Sequence, residues 1–257
     1  MDQDPHDAFE CRQQGSIVQR RPETSSASVP APQGGAADRR YYLLEFLAIF
    51  FTLFAAELLL RATTDRVGEG EYTIPELLAV GVRDIGFCLL AWVLLTRRET
   101  FDWRLPRTVP KWLQEFGWAL LLILAIFGCN YILSLIIFPL DLESSPTRWA
   151  NPLGNSATLA IFCLFTPIVG LSEELFFRVY VQTRLTLILR GRNILPVLLG
   201  TVLFAALHGY DLAGTLRVGI IGLVLSVSYQ ANRKIPRLVI AHTIWNLMAA
   251  LLTLVPD

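Results

Sequence analysis

Seven stretches of mostly apolar residues, at about 42–60, 74–96, 114–140, 157–177, 194–208, 213–230 and 237–255, alternate along the chain with short segments rich in arginine, glycine and proline. A bilayer core takes about 20 mostly apolar residues per helix. Each stretch reaches or approaches that length, the fifth being the short one. Backbone groups in lipid must bond within their own segment, so the pattern predicts helices and not strands. The expected fold class is therefore all-α, a polytopic transmembrane helix bundle of about seven spans, and an eighth span or a re-entrant segment fits the pattern as well. Residues 1–40 hold polar, Ser-, Pro- and Gly-rich sequence with no helical period, which predicts a disordered tail. The first apolar run begins only at Tyr41 and is long enough to span, so it does not read as a cleaved signal peptide.

The charges between the stretches predict an orientation. Setting Arg178 aside, thirteen Lys and Arg fall on one side in strict alternation, from Arg39 and Arg40 through the 97–113, 178–193 and 231–237 loops, against three (Arg61, Arg66 and Arg148) on the other. This places the N-terminus in the cytoplasm and the C-terminus outside. Arg39 and Arg40 are read as part of that orientation signal, not as a twin-arginine export signal.

Composition agrees with a membrane solvent, because 53% of residues are hydrophobic and 17% charged, with a mean hydropathy of +0.48. A net charge of +0 gives no basic excess, which argues against a nucleic-acid partner. Cys11, Cys88, Cys129 and Cys163 form no CxxC pair, and three of them lie in apolar runs where a thiol acts as a small hydrophobe.

Ionisable side chains inside a span cost several kcal/mol unless they face the protein interior and find partners. Glu45, Glu57, Arg61 and Arg217 lie near helix ends and read as structural. Arg83 and Asp84 are adjacent in mid-span and point to different faces, so each is expected to need a partner on another helix. The last hundred residues carry a denser set. Glu173 and Glu174 close an apolar helix, and Arg178 lies four residues after Glu174 on the same face, where it can hold that carboxylate. Glu173, about 100° round the helix, is left to face a cavity as a general base. Of three histidines, His6 lies in the tail. His208 follows Phe204 by one turn, and His242 precedes Asn246 by one turn, a pair of donors suited to an oxyanion.

Glu173-Glu174-x-x-x-Arg178, Phe204-x-x-x-His208 and His242-x-x-x-Asn246, intact and in this order, resemble the CPBP family of intramembrane proteases, which takes in the CAAX proteases and bacteriocin-processing enzymes. The resemblance covers roughly residues 155–250. It implies a protease core at 155–255 built from the last four helices, preceded by variable transmembrane helices at 41–150. It further implies that Glu173 and His208 activate a water, that His242 and Asn246 stabilise the tetrahedral oxyanion, and that Glu174 and Arg178 support the site. The implied substrate is a peptide or membrane-anchored protein cut near the membrane surface, with lipid as the other partner.

A divalent metal such as zinc, bound by Glu173, His208 and His242, is an alternative, but the absence of HExxH and the presence of Asn246 favour a reaction without a cofactor. A non-catalytic scaffold or a transporter would also carry such residues, although no inverted repeat supports the latter. One geometric difficulty is visible in advance. Glu173 and His242 fall near the cytoplasmic ends of their helices, whereas His208 comes about 14 residues into its own, roughly 21 Å along it. Convergence requires that helix to tilt or start beneath the surface, or the Glu173 helix to continue past Arg178.

Overall fold

A computed structural model describes residues 36–64, 74–98, 105–140, 142, 156–190, 194–208 and 211–252. Every regular element among them is helical: α1 (Ala36–Thr64), α2 (Ile74–Arg98), α3 (Val109–Ile137) with a short 3₁₀ turn after it, α4 (Ser156–Glu173), a π-helical segment (Glu174–Val181), α5 (Gln182–Ile188), α6 (Ile194–His208), α7 (Leu212–Asn232) and α8 (Ile235–Leu252). α4, the π segment and α5 run on as one rod, so the described residues form seven rods that match the seven apolar stretches. Four of them are long and apolar enough to cross a membrane, and α6 and α8 are shorter apolar helices. Of the disordered tail expected at 1–40, residues 36–40 already belong to α1, a correction to that boundary, while residues 1–35 and the side chains of Glu57 and Arg61 lie outside what is described.

Local chemistry explains several boundaries. Pro110 sits in the first turn of α3, where a missing N–H costs nothing. Asp211 caps α7 by accepting the Gly214 N–H at 2.7 Å. Arg233 ends the same helix in the left-handed region at φ 53°, donating its N–H to the Tyr229 carbonyl at 2.8 Å.

The expectation that Glu173 and Glu174 close their helix is corrected. The rod continues to Ile188 through a stretch where the Gln182 N–H bonds to the Phe177 carbonyl, five residues back. All eight residues of that stretch are buried. The sequence argued for a helix end because charges cluster there, but those charges face neighbouring helices instead of water. Arg184 donates to Glu45 of α1 at 2.9 Å, Tyr180 reaches the same carboxylate at 3.1 Å, and Gln182 bonds to Gln230 of α7 at 2.9 Å. A comparable clamp joins α8 to α3, with Arg237 donating to both oxygens of Glu115 at 2.6 and 3.1 Å.

Beside these clamps two clusters of buried apolar side chains fill the core. Large side chains of α3 such as Leu121, Leu124, Tyr131, Ile132 and Leu135 stand exposed in the isolated protein, a surface that only a lipid solvent would cover comfortably. Small residues bring the inner helices close, as membrane bundles require when apolar association supplies little drive. A Cβ on Gly222 of α7 would meet the Phe204 ring of α6 at 2.8 Å, and one on Gly170 of α4 would meet Thr243 Oγ1 of α8 at 3.0 Å and the Thr243 backbone N at 3.5 Å.

Gly170 lies one turn before Glu173, and Thr243 is the residue after His242. Its missing side chain therefore sets the α4–α8 spacing at the level of the polar cluster. Gly170→Val is expected to cost about 1–3 kcal/mol through overpacking, seen as a lowered thermal midpoint in detergent. Adding Thr243→Ala, which removes the nearest atom, is expected to restore part of the loss; a midpoint unmoved by Gly170→Val would show that the helices are not in tight contact.

Candidate active site

The continuation of the Glu173 rod removes the geometric difficulty. Glu173 lies near the middle of the Ala157–Ile188 span and not at its end. α6 has 15 residues, roughly 22 Å at 1.5 Å per residue, short of the ~30 Å hydrocarbon core. A short α6 brings its last residue, His208, to the depth of mid-rod Glu173.

Three of the expected residues converge on a single atom. Glu173 Oε2 lies 3.5 Å from His242 Nε2 and 3.8 Å from His208 Nε2. That oxygen is buried and makes no hydrogen bond. Each imidazole is fixed by its other nitrogen. His208 Nδ1 lies 2.7 Å from the Phe204 carbonyl, and because a carbonyl only accepts, Nδ1 carries the proton; in the neutral ring Nε2 then presents a lone pair toward Glu173. His242 Nδ1 donates to Glu174 Oε1 at 2.8 Å, which aims Nε2 at the same place.

Glu174 and Arg178 stand behind this layer. Their side chains are 0% and 1% exposed and pair at 3.2 Å. The Arg178 guanidinium lies 4.3 Å from the Phe204 ring centre, and Phe204 in turn packs against His208 at 4.5 Å. Motif residues from three helices thus form one block: the π segment supplies the ion pair, α6 the aromatic ring and one imidazole, α8 the other imidazole.

In front of the block is a cavity of about 410 Å³, lined by Glu173, His208, His242 and Asn246, with mostly apolar walls from α1, α2, α4 and α7. Its volume is that of a small-ligand or short-peptide site. Glu174 and Arg178 do not reach it. Among the described residues no three His, Cys, Asp and Glu side chains make a metal-binding group.

Arg83 and Asp84 also line the cavity. The expectation that each needs a partner on another helix is corrected in part, since Arg83 Nε donates to Asp84 Oδ1 at 3.1 Å; the arginine is long enough to fold back onto its neighbour. Glu45 has the structural role expected of it, but through its contacts with Arg184 and Tyr180 and not its position, which is well inside α1. Arg217, read as a helix-end residue, instead lines the cavity. The spacing of Gly214, Arg217, Val218 and Ile221 at i, i+3, i+4 and i+7 could have shown that it shares a face with residues turned inward.

The comparisons with known proteins fall on the same part of the chain. Residues 155–248 match the family model described as type II CAAX prenyl endopeptidase Rce1-like. Among curated proteins, the UPF0177 protein YvdC of Lactococcus lactis subsp. lactis (strain IL1403) is 30% identical over 136 residues, which is 50% of this chain. The alignment spans about half, 51%, of that relative's length. No solved structure gives a significant match. The matched region contains all three motifs and the residues that meet at Glu173, and over residues 155–248 the chain is similar to the Rce1-like CAAX endopeptidases.

Proposed function

We propose that this protein is an intramembrane endopeptidase in which Glu173 and His208 activate a water against a peptide bond of a membrane-associated or lipidated substrate. The observation that carries the reading is the unbonded Glu173 Oε2 between two imidazole Nε2 atoms. An ionised carboxylate facing the His208 lone pair lacks hydrogens, and a water at that point supplies one to each. Glu173 then takes a proton as the water oxygen attacks the carbonyl carbon, and it returns that proton to the leaving nitrogen as the C–N bond breaks.

His242 and Asn246 are assigned to the oxyanion. An imidazolium at His242 has a carboxylate on either side, Glu174 at Nδ1 and Glu173 at Nε2, and it donates from Nε2 when the substrate oxygen becomes negative. With Arg178 balancing the other carboxylate, the buried block is neutral overall. The common depth of the three groups weighs against a scaffold that has lost its chemistry. Because Asn246 shares the cavity with His242, a polarising donor pair is already at hand, and the reaction is proposed to run without a metal. The charge asymmetry of the loops supports an orientation with the N-terminus in the cytoplasm.

Single-turnover digestion of a panel of membrane-anchored peptides in ¹⁸O-water tests the chemistry. The expected product carries one ¹⁸O in its new carboxyl group, formed at an unchanged rate after treatment with a strong zinc chelator. Loss of cleavage on chelation and recovery with zinc would assign Glu173, His208 and His242 as ligands instead; no cleaved fragment from any peptide would overturn the peptidase reading.

A further inference from the structure

A surplus of positive charge gathers where α3 and α8 begin, among residues that do not line the cavity. Arg237 of α8 donates from Nε and Nη2 to the two oxygens of Glu115 at 2.6 and 3.1 Å, and Lys234 reaches the same carboxylate at 3.2 Å. Two cations thus share one anion, whereas Glu174 has Arg178 and Glu45 has Arg184. The Arg237 and Glu115 side chains are only 4% and 6% exposed, so water does little to neutralise the excess. Arg237 Nη1 makes no hydrogen bond among the described residues. Lys111 lies one turn before Glu115 on the same face of α3 and adds a third cation. Arg233 stays out of the group, turning back to Gln230 at 3.2 Å and to the Tyr229 ring at 4.8 Å.

We propose that the junction of α3 and α8 is a binding site for the phosphate of an anionic phospholipid, an inference that does not depend on the peptidase reading. A buried ion pair with a surplus charge is costly until a further anion completes it. Phosphate oxygens accept charge-assisted hydrogen bonds from a guanidinium and from ammonium groups at once. Arg237 offers its spare Nη1. Lys234, with 41% of its side chain exposed, and the exposed Lys111 stand at the rim. The surroundings suit a lipid better than a free ion. Trp118 lies one turn beyond Glu115 on the same face of α3, its ring centre 5.2 Å from the Arg237 guanidinium, and Trp112, Leu113, Phe116 and Trp118 are all exposed. Tryptophan beside cations marks the headgroup level, where basic pockets between helix ends take up lipid phosphates. The exposed apolar side chains are placed to lie along acyl chains, which a free phosphate lacks. Arg237 comes five residues before His242 on α8, so a lipid held here also steadies the helix that carries the site.

Native mass spectrometry of the full chain released from detergent, titrated with phosphatidylglycerol or with phosphatidylcholine of the same acyl chains, reads the site without turnover. Phosphatidylglycerol is expected to bind about 25-fold more tightly, roughly fivefold for each of the two rim lysines. Lys111→Gln combined with Lys234→Gln is expected to remove most of that preference, while Arg39→Gln combined with Arg190→Gln, an equal loss of charge outside the cluster, leaves it in place. Both pairs of side chains reach the surface, so these variants are expected to fold. Equal affinity for the two lipids in the unmodified protein overturns the proposal whether or not the variants fold. So does a preference that survives the paired lysine change, or one that the paired arginine change abolishes as well, which would reduce it to net charge. Millimolar inorganic phosphate is expected to leave phosphatidylglycerol bound; complete displacement would make a free phosphate the occupant and overturn the lipid assignment.

Discussion

Glu173→Gln is expected to lower the single-turnover cleavage rate by about a hundred- to ten-thousand-fold, the range a positioned general base contributes, while leaving the thermal midpoint close to that of the wild type. The separation of the two effects follows from the geometry. Glu173 Oε2 makes no hydrogen bond and its side chain is 19% exposed to the cavity, so the change to an amide removes little that holds helices together. What it removes is the one group beside His208 that can take a proton and give it back. His208→Ala is expected to act in the same direction but also to open space against Phe204. A Glu173→Gln protein that cleaves within tenfold of the wild type would move the base elsewhere; a large drop in midpoint would recast Glu173 as a structural residue.

Much of this site was legible in the sequence because its spacing matches helix geometry. Glu174 and Arg178, Phe204 and His208, and His242 and Asn246 are each four apart, and in each pair one member proves to orient, back or accompany the other. The division between a paired Glu174 and a cavity-facing Glu173 likewise follows from their adjacency, which turns the two carboxylates about 100° apart. The continuation beyond Arg178 was less legible. Arg178, Gln182 and Arg184 look like the wet end of a span, yet all three are buried, because Glu174, Gln230 and Glu45 receive them. Two of these three partners lie far away in sequence, and no local pattern announces them. Arg217 was missed for the opposite reason. Its position near a helix end allows an outward-pointing side chain, and the one local sign against that was the i, i+3, i+4 and i+7 spacing it shares with Gly214, Val218 and Ile221.

Arg178→Met is expected to destabilise the fold by about 3–5 kcal/mol, the cost of leaving one charge of a buried pair without its partner. Glu174 is 0% exposed, so the stranded carboxylate has no water to turn to, and its remaining partner is the His242 Nδ1–H at 2.8 Å. The loss should show as a lowered midpoint of unfolding in detergent. Glu174→Gln combined with Arg178→Met discards both charges, and much of the stability is expected to return, since a neutral replacement for a buried ion pair is often tolerated. Cleavage is expected to stay about a hundredfold down in the double variant, comparable to losing an oxyanion donor. The side-chain amide that replaces the carboxylate can still accept from His242 through its carbonyl oxygen, but it no longer supplies the negative charge that holds a proton on Nε2. If the double variant is no more stable than Arg178→Met alone, the guanidinium stabilises through its stacking on Phe204 and not through its charge. If it recovers cleavage together with stability, the ion pair serves only the fold, and His242 acts without electrostatic help from Glu174.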